Sequence, residues 1–176
     1  VYTAIKVGES TTLNIVISQR INATVTVKVN GEEQIVQLTN GEGSLLLSGL
    51  KEGNYTINAT FAETDKYLED VSNNVELNVT KNPINVTVDF VPQANVGDDV
   101  EIKVKLSESI NTTAKLRIGD NVYDVAIVNG NGTYTVNLPK GTYDINATFQ
   151  GNDKYSGNSS EIKHLTVNKI STTVNV

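Results

Sequence analysis

One nine-residue stretch occurs twice. Gly53-Asn54-Tyr55-Thr56-Ile57-Asn58-Ala59-Thr60-Phe61 and Gly141-Thr142-Tyr143-Asp144-Ile145-Asn146-Ala147-Thr148-Phe149 share glycine, tyrosine and Ile-Asn-Ala-Thr-Phe at the same spacing. Four residues after each phenylalanine comes the same tripeptide, Asp65-Lys66-Tyr67 and Asp153-Lys154-Tyr155. The copies start at residues 53 and 141, a period of 88. Length alone leaves a 176-residue chain open to one domain or two. The repeat decides for two, each large enough to bury a small core.

Within each repeat the apolar residues alternate. Val100, Ile102, Val104 and Leu106 are separated by Glu101, Lys103 and Lys105, and Leu13, Ile15 and Ile17 show the same phase less cleanly. Period two with one polar face is the pattern of a half-buried strand. The next inward sets are Val25, Val27 and Val29, matched by Ala114, Leu116 and Ile118, then Val36 and Leu38, matched by Val125 and Ile127. Leu45 and Leu47 correspond to Tyr134, Val136 and Leu138, and Leu77 and Leu165 lie in the closing strands. Asn30-Gly31, Gly119-Asp120, Asn40-Gly41 and Asn129-Gly130 mark turns. The turns at Asn40 and Asn129 read as short loops between antiparallel neighbours. Asn (22) and Thr (20) are in excess, suiting turns and strand surfaces, and no window holds a 3.6-residue period. The fold class is therefore all-β: two tandem antiparallel β-sandwiches of about seven strands each. An eight-stranded barrel or jelly roll is the alternative.

The boundaries follow from the same alignment. Residues 1–81 form the first domain, with its opening strand truncated, and 82–169 form the second. Lys169-Ile170-Ser171-Thr172-Thr173-Val174 repeats the boundary at Lys81, so 170–176 reads as the first strand of a third repeat. That orphan strand is expected to be disordered or to pair with an exposed edge of a neighbouring molecule. Almost no linker separates Val79 from Ile84, which predicts units stacked end to end with restricted bending.

Charge and rare residues bound the function. The net charge of −6 and pI near 4.8 argue against nucleic acid or an anionic membrane as partner. There is no Cys, hence no disulfide and no thiolate metal site, and only one His. No apolar run is long enough for a membrane span. No Met is present, so the chain is expected to be a piece of a longer protein whose signal peptide or anchor lies outside it.

The Gly-x-Tyr opening, the Asn-Ala-Thr-Phe run and the following Asp-Lys-Tyr resemble the bacterial Ig-like domains of group 3. The resemblance is nearest to the Asn/Thr-rich copies found in adhesin-like surface proteins of methanogenic archaea, and it spans nearly the whole chain. It implies an Ig-like fold, a stalk or adhesion role at the cell surface, and no catalytic residues. Relatives commonly carry further Asp or Asn at the Asp-Lys-Tyr position, so a family-style acidic loop is less convincing here.

Candidate sites are few. Tyr55 and Tyr143 fit the tyrosine corner of Ig-like sandwiches, in which the hydroxyl bonds upstream backbone. Tyr67 and Tyr155 are read as capping an open end of the core, with Asp65 and Asp153 fixing a turn. A calcium site at Asp153 with Asn152, or at Asp98 with Asp99, has too few oxygens. Nine Asn-x-Ser/Thr triplets occur, among which Asn22, Asn58, Asn111 and Asn146 are candidate glycosylation sites. Two adjacent strands offer a polar face, with Lys28, Asn58, Lys115, Arg117 and Asn146 as the candidate binding residues. Lys163 is the one charged residue at an inward position, a requirement for a lysine–asparagine isopeptide bond, and His164 faces out. No phosphate loop, paired carboxylates or nucleophile–base arrangement is discernible, and no cofactor is called for.

These features read as non-catalytic, extracellular repeat modules of a cell-surface adhesin-like protein, serving as a semi-rigid spacer and in cell adhesion. Their partners would be the neighbouring Ig-like repeats. A second reading makes the modules themselves the part that binds a glycan or a surface protein of another cell. A third makes them accessory domains of a surface hydrolase.

Overall fold

The computed structural model describes residues 4–176; Val1, Tyr2 and Thr3, which the repeat aligns with the segment before Val96, lie outside the described residues. The chain divides into two compact units, residues 1–82 and 83–176. Unit 1 holds β1 (Ala4–Lys6), β2 (Thr11–Val16), β3 (Ala23–Val29), β4 (Glu32–Leu38), β5 (Glu42–Leu47), β6 (Gly53–Phe61), β7 (Asp70–Val71) and β8 (Val75–Thr80). Unit 2 holds β9 (Val86–Asp89), β10 (Gln93–Asn95), β11 (Val100–Leu106), β12 (Thr112–Ile118), β13 (Asn121–Ile127), β14 (Asn131–Val136), β15 (Gly141–Phe149), β16 (Asn158–Ser159) and β17 (Lys163–Asn168). No helix occurs among the described residues.

Each unit is two sheets around one core. In unit 1 the larger sheet runs β1-β8-β6-β3-β4, with β7 against β6, and the smaller is β2-β5. In unit 2 the larger sheet runs β10-β17-β15-β12-β13, with β16 against β15, and the smaller is β14-β11-β9. The motif strands β6 and β15 thus lie centrally in the larger sheets. Their inward Ile57, and Ile145 with Ala147 and Phe149, reach the cores. Val25, Val27 and Val29 in unit 1, and Val100, Ile102, Val104 and Leu106 in unit 2, are buried as their alternation predicts.

Three features depart from a purely antiparallel sandwich with about seven strands per unit. The first is one parallel pair in each unit. β1 lies parallel to β8 with Ile5 opposite Val79, and β10 lies parallel to β17 with Ala94 opposite Val167. These three-residue strands hold a single inward residue, too little for alternation to reveal. The second is the path through the turns at Asn40-Gly41 and Asn129-Gly130. Instead of joining sheet neighbours, they carry the chain from the larger sheet to the smaller, leaving single bridges at Thr39–Glu42 and Val128–Asn131. The third is the fourth long strand. A constant-type Ig sandwich places it in the sheet of the first, second and fifth strands, whereas β4 and β13 pair with β3 and β12.

The crossing turns are held from both sides. Asn40 and Asn129 adopt φ of 54° and 50°, in the left-handed region that asparagine tolerates, and Gly41 and Gly130 follow at 85° and 80°. Gly41 N–H donates to Ile21 O and Gly130 N–H to Ile110 O. A Cβ on Gly41 would stand 2.4 Å from Gln19 O, and one on Gly130 2.6 Å from Glu108 O. Only glycine lets the backbone pass this close. By contrast Asn30-Gly31 and Gly119-Asp120 close true two-residue hairpins, with Val29 opposite Glu32 and Ile118 opposite Asn121.

Candidate functional site

The outward face of each larger sheet gathers the candidate binding residues, because alternate residues of paired strands share a face. In unit 1, Lys28 stands opposite Asn58, and Thr56 opposite Glu76. In unit 2, Arg117 stands opposite Asn146, Lys115 opposite both Thr148 and Asp124, and Asp144 opposite His164. Lys115, Arg117 and Asn146 therefore form one patch, and Lys28 with Asn58 a separate one on the other unit.

Most of these polar groups are engaged within their own sheet. Lys28 Nζ pairs with Glu33 at 3.0 Å, and Lys115 Nζ with Asp124 Oδ1 at 2.5 Å. Arg117 Nε donates to Asn146 Oδ1 at 3.0 Å. Thr56 Oγ1 donates to the Glu76 carboxylate at 3.0 Å, and His164 Nδ1 lies 2.6 Å from Asp144 Oδ1. Asn58 Nδ2 donates to Asn74 Oδ1, while Asn58 Oδ1 is buried with no hydrogen-bond partner. Such exposed pairs contribute little to stability one by one, yet they neutralise the face on which they lie. Glu33 and Asp124 reach this face because β4 and β13 pair with β3 and β12. Their outward phase in β4 and β13 was the signal available.

The other predicted residues have defined surroundings. Tyr55 Oη donates to Lys51 O at 3.0 Å, and Tyr143 Oη to Pro139 O at 2.8 Å. Residues two apart share a strand face, and a Cβ on Gly141 would lie 3.4 Å from the Tyr143 ring. Asn22 Oδ1 accepts from Asn40 N–H, and Asn111 Oδ1 from Asn129 N–H, so both fasten the crossing turns. Asn22 and Asn111 remain exposed, whereas Asn58 and Asn146 are half-buried among their sheet partners.

Two expectations are corrected. The turn before Tyr67 and Tyr155 is not fixed by Asp65 and Asp153. Thr64 Oγ1 accepts from Lys66 and Tyr67 N–H, and Asn152 Oδ1 from Lys154 and Tyr155 N–H, one position earlier in each loop. A side-chain oxygen two to three residues upstream reaches those amides. Lys163 keeps the inward phase, opposite Ile145, but is not buried: it sits at the start of β17, is exposed, and lies 3.9 Å from Asp89.

Tyr67 meets Phe61 edge to face at 6.4 Å, and Tyr155 packs on the unit 2 core with its hydroxyl 3.4 Å from Glu108. Asp98 Oδ2 accepts from Asn95 N–H, as Glu9 does from Lys6 N–H, closing equivalent turns. Among the described residues no cluster of three or more His, Asp or Glu is grouped to hold a metal ion.

No protein-family model matches the chain, and no curated protein matches it. Among solved structures, the fibronectin(III)-like modules of Clostridium thermocellum CbhA are 13% identical at a TM-score of 0.40, covering 98% of this chain and 94% of that one. An ICAM-5 D1-D4 ectodomain fragment is 16% identical at 0.46, covering 96% of this chain and 52% of that one. The human OSCAR ligand-binding domain is 15% identical at 0.38, covering 91% and 92%.

Proposed function

We propose that the chain is a pair of non-catalytic Ig-like modules from an extracellular, cell-surface adhesin-like protein, in which they act as spacers between functional parts. The observation that carries this reading is the self-satisfied polar face. Lys28 pairs with Glu33, Lys115 with Asp124, and Arg117 Nε donates to Asn146 Oδ1, so these groups are engaged within their own sheets. A recognition site holds polar groups aimed at a common point. Here they are aimed along the sheet. The connection between β8 and β9 is only residues 81–85, as a tandem array of such modules requires. Glycosylation of the native protein fits Asn22 and Asn111 better than Asn58 and Asn146, since the first pair is exposed and the second half-buried.

A glycan array, and pull-down against intact cells, test this reading. The spacer role predicts no saturable binding to either. Saturable binding that is lost in an Asn146→Ala, Arg117→Ala double variant would instead make the modules the adhesive part.

A further inference from the structure

Four Asn-Gly pairs occur, at residues 30–31, 40–41, 129–130 and 131–132. Asparagine is a thermolabile residue. It is most so before glycine, where no Cβ stands between the following amide nitrogen and the side-chain carbonyl it can attack. The attack needs an amide that is free of hydrogen bonds and open to solvent base. Three of the pairs are closed to it. Gly41 N–H donates to Ile21 O at 2.8 Å and Gly130 N–H to Ile110 O at 2.9 Å, and both glycines are buried. Leu106 N–H donates to Gly130 O, so two residues along the same ladder Gly132 and Val104 exchange both of their bonds.

Asn30-Gly31 differs. Gly31 is exposed at the tip of the β3–β4 hairpin, and its N–H has no partner among the described residues. The Asn30 side chain lies against β6: Thr56 N–H donates to its Oδ1 at 2.8 Å, and its Nδ2 donates to Asn54 O at 3.2 Å. A donor on Oδ1 polarises the Cγ carbonyl and stabilises negative charge that develops on that oxygen. Unit 2 has Gly119-Asp120 at the matching hairpin, with no asparagine side chain to attack.

We propose that Asn30 is the chain's site of deamidation through a cyclic imide, and that the fold directs the reaction there. Gly31 N attacks Asn30 Cγ, and its proton passes to solvent base. The Cγ–Nδ2 bond breaks and ammonia leaves. Water then opens the imide at either carbonyl, giving aspartate or isoaspartate, so the net change is uptake of one water and loss of one ammonia. Both products add a negative charge. The aspartate sets a carboxylate oxygen where Nδ2 faced Asn54 O, acceptor against acceptor. The isoaspartate lengthens the main chain inside a two-residue turn whose closing pair is Val29 and Glu32. Either product loosens the hairpin tip from β6, whereas the matching turn of unit 2 does not age in this way.

Peptide mapping by mass spectrometry tests this on the full chain, held folded at mildly alkaline pH in heavy-oxygen water and, in parallel, unfolded in urea. In the folded chain Asn30 should convert at least about tenfold faster than Asn40, Asn129 and Asn131, because buried or bonded amides react only after local opening. In urea the four rates should draw together. The converted residue should carry heavy oxygen from the solvent and separate into aspartyl and isoaspartyl peptides. An Asn30 that stays intact, equal rates at the four sites in the folded chain, or the same ranking in urea would each overturn the proposal.

Discussion

The two motif strands are chemically the same along the inward face and yet differ in burial. Phe149 is 1% exposed and Ala147 fully buried, whereas Phe61 and Ala59, in the identical Ile-Asn-Ala-Thr-Phe context, are only partly buried. The cause lies outside the motif. Ile84 and the strand β9 pack over that end of unit 2, and Val86 and Val88 add to the same core as Phe149. Among the described residues of unit 1, no strand occupies the equivalent place beside β2. A side chain's burial is thus set by what covers it, and the cover comes from a segment about sixty residues away along the chain.

The largest test of that contrast is Phe149→Ala beside Phe61→Ala. The first should cost unit 2 about 3–5 kcal/mol, and the second should cost unit 1 about half as much or less, since a half-open site leaves no closed cavity. Urea unfolding followed separately for each unit by NMR peak intensities measures both. Equal losses would remove the claim that β9 makes the difference.

A smaller effect should be common to both units. Gly41→Ala and Gly130→Ala each place a Cβ on left-handed backbone, at about 1–2 kcal/mol, with an added cost from the carbonyl it meets. The same unfolding measurement should give similar losses for the pair, because the crossing turn is built identically in the two repeats. A large difference would show that the turns are only superficially alike.

The smallest expected effect belongs to unit 2 alone. Tyr123 and Tyr134 stack with ring centroids 4.8 Å apart, bridging β13 of one sheet and β14 of the other. Unit 1 has Gln34 and Leu45 at these places. A double-mutant cycle with Tyr123→Gln and Tyr134→Leu should return a coupling of about 0.5–1.5 kcal/mol. A coupling near zero would leave β9 as the principal difference between the units.

Much of this was legible along the chain. Alternation identified the inward sets of β3, β11 and β12. The shared glycine, tyrosine and asparagine positions belong to backbone geometry. Gly41 and Gly130 admit a carbonyl, and Asn22 and Asn111 fasten the turn that crosses between sheets. What stayed hidden was of two kinds. The short strands β1 and β10 are too brief for a period. The partners of the polar face, Glu33 and Asp124, depend on which strand stands next to which.

The sequence by itself determined that this is an all-β chain with two copies of one design, because period-two patterning and turn chemistry act within a few residues and repeat with them. Only the tertiary structure decided that β4 and β13 join the sheet of the motif strand, and that Lys28, Lys115 and Arg117 on that face pair with Glu33, Asp124 and Asn146. Those outcomes depend on contacts between segments far apart in the chain. Strand adjacency is settled by closing the core, and no local pattern records it.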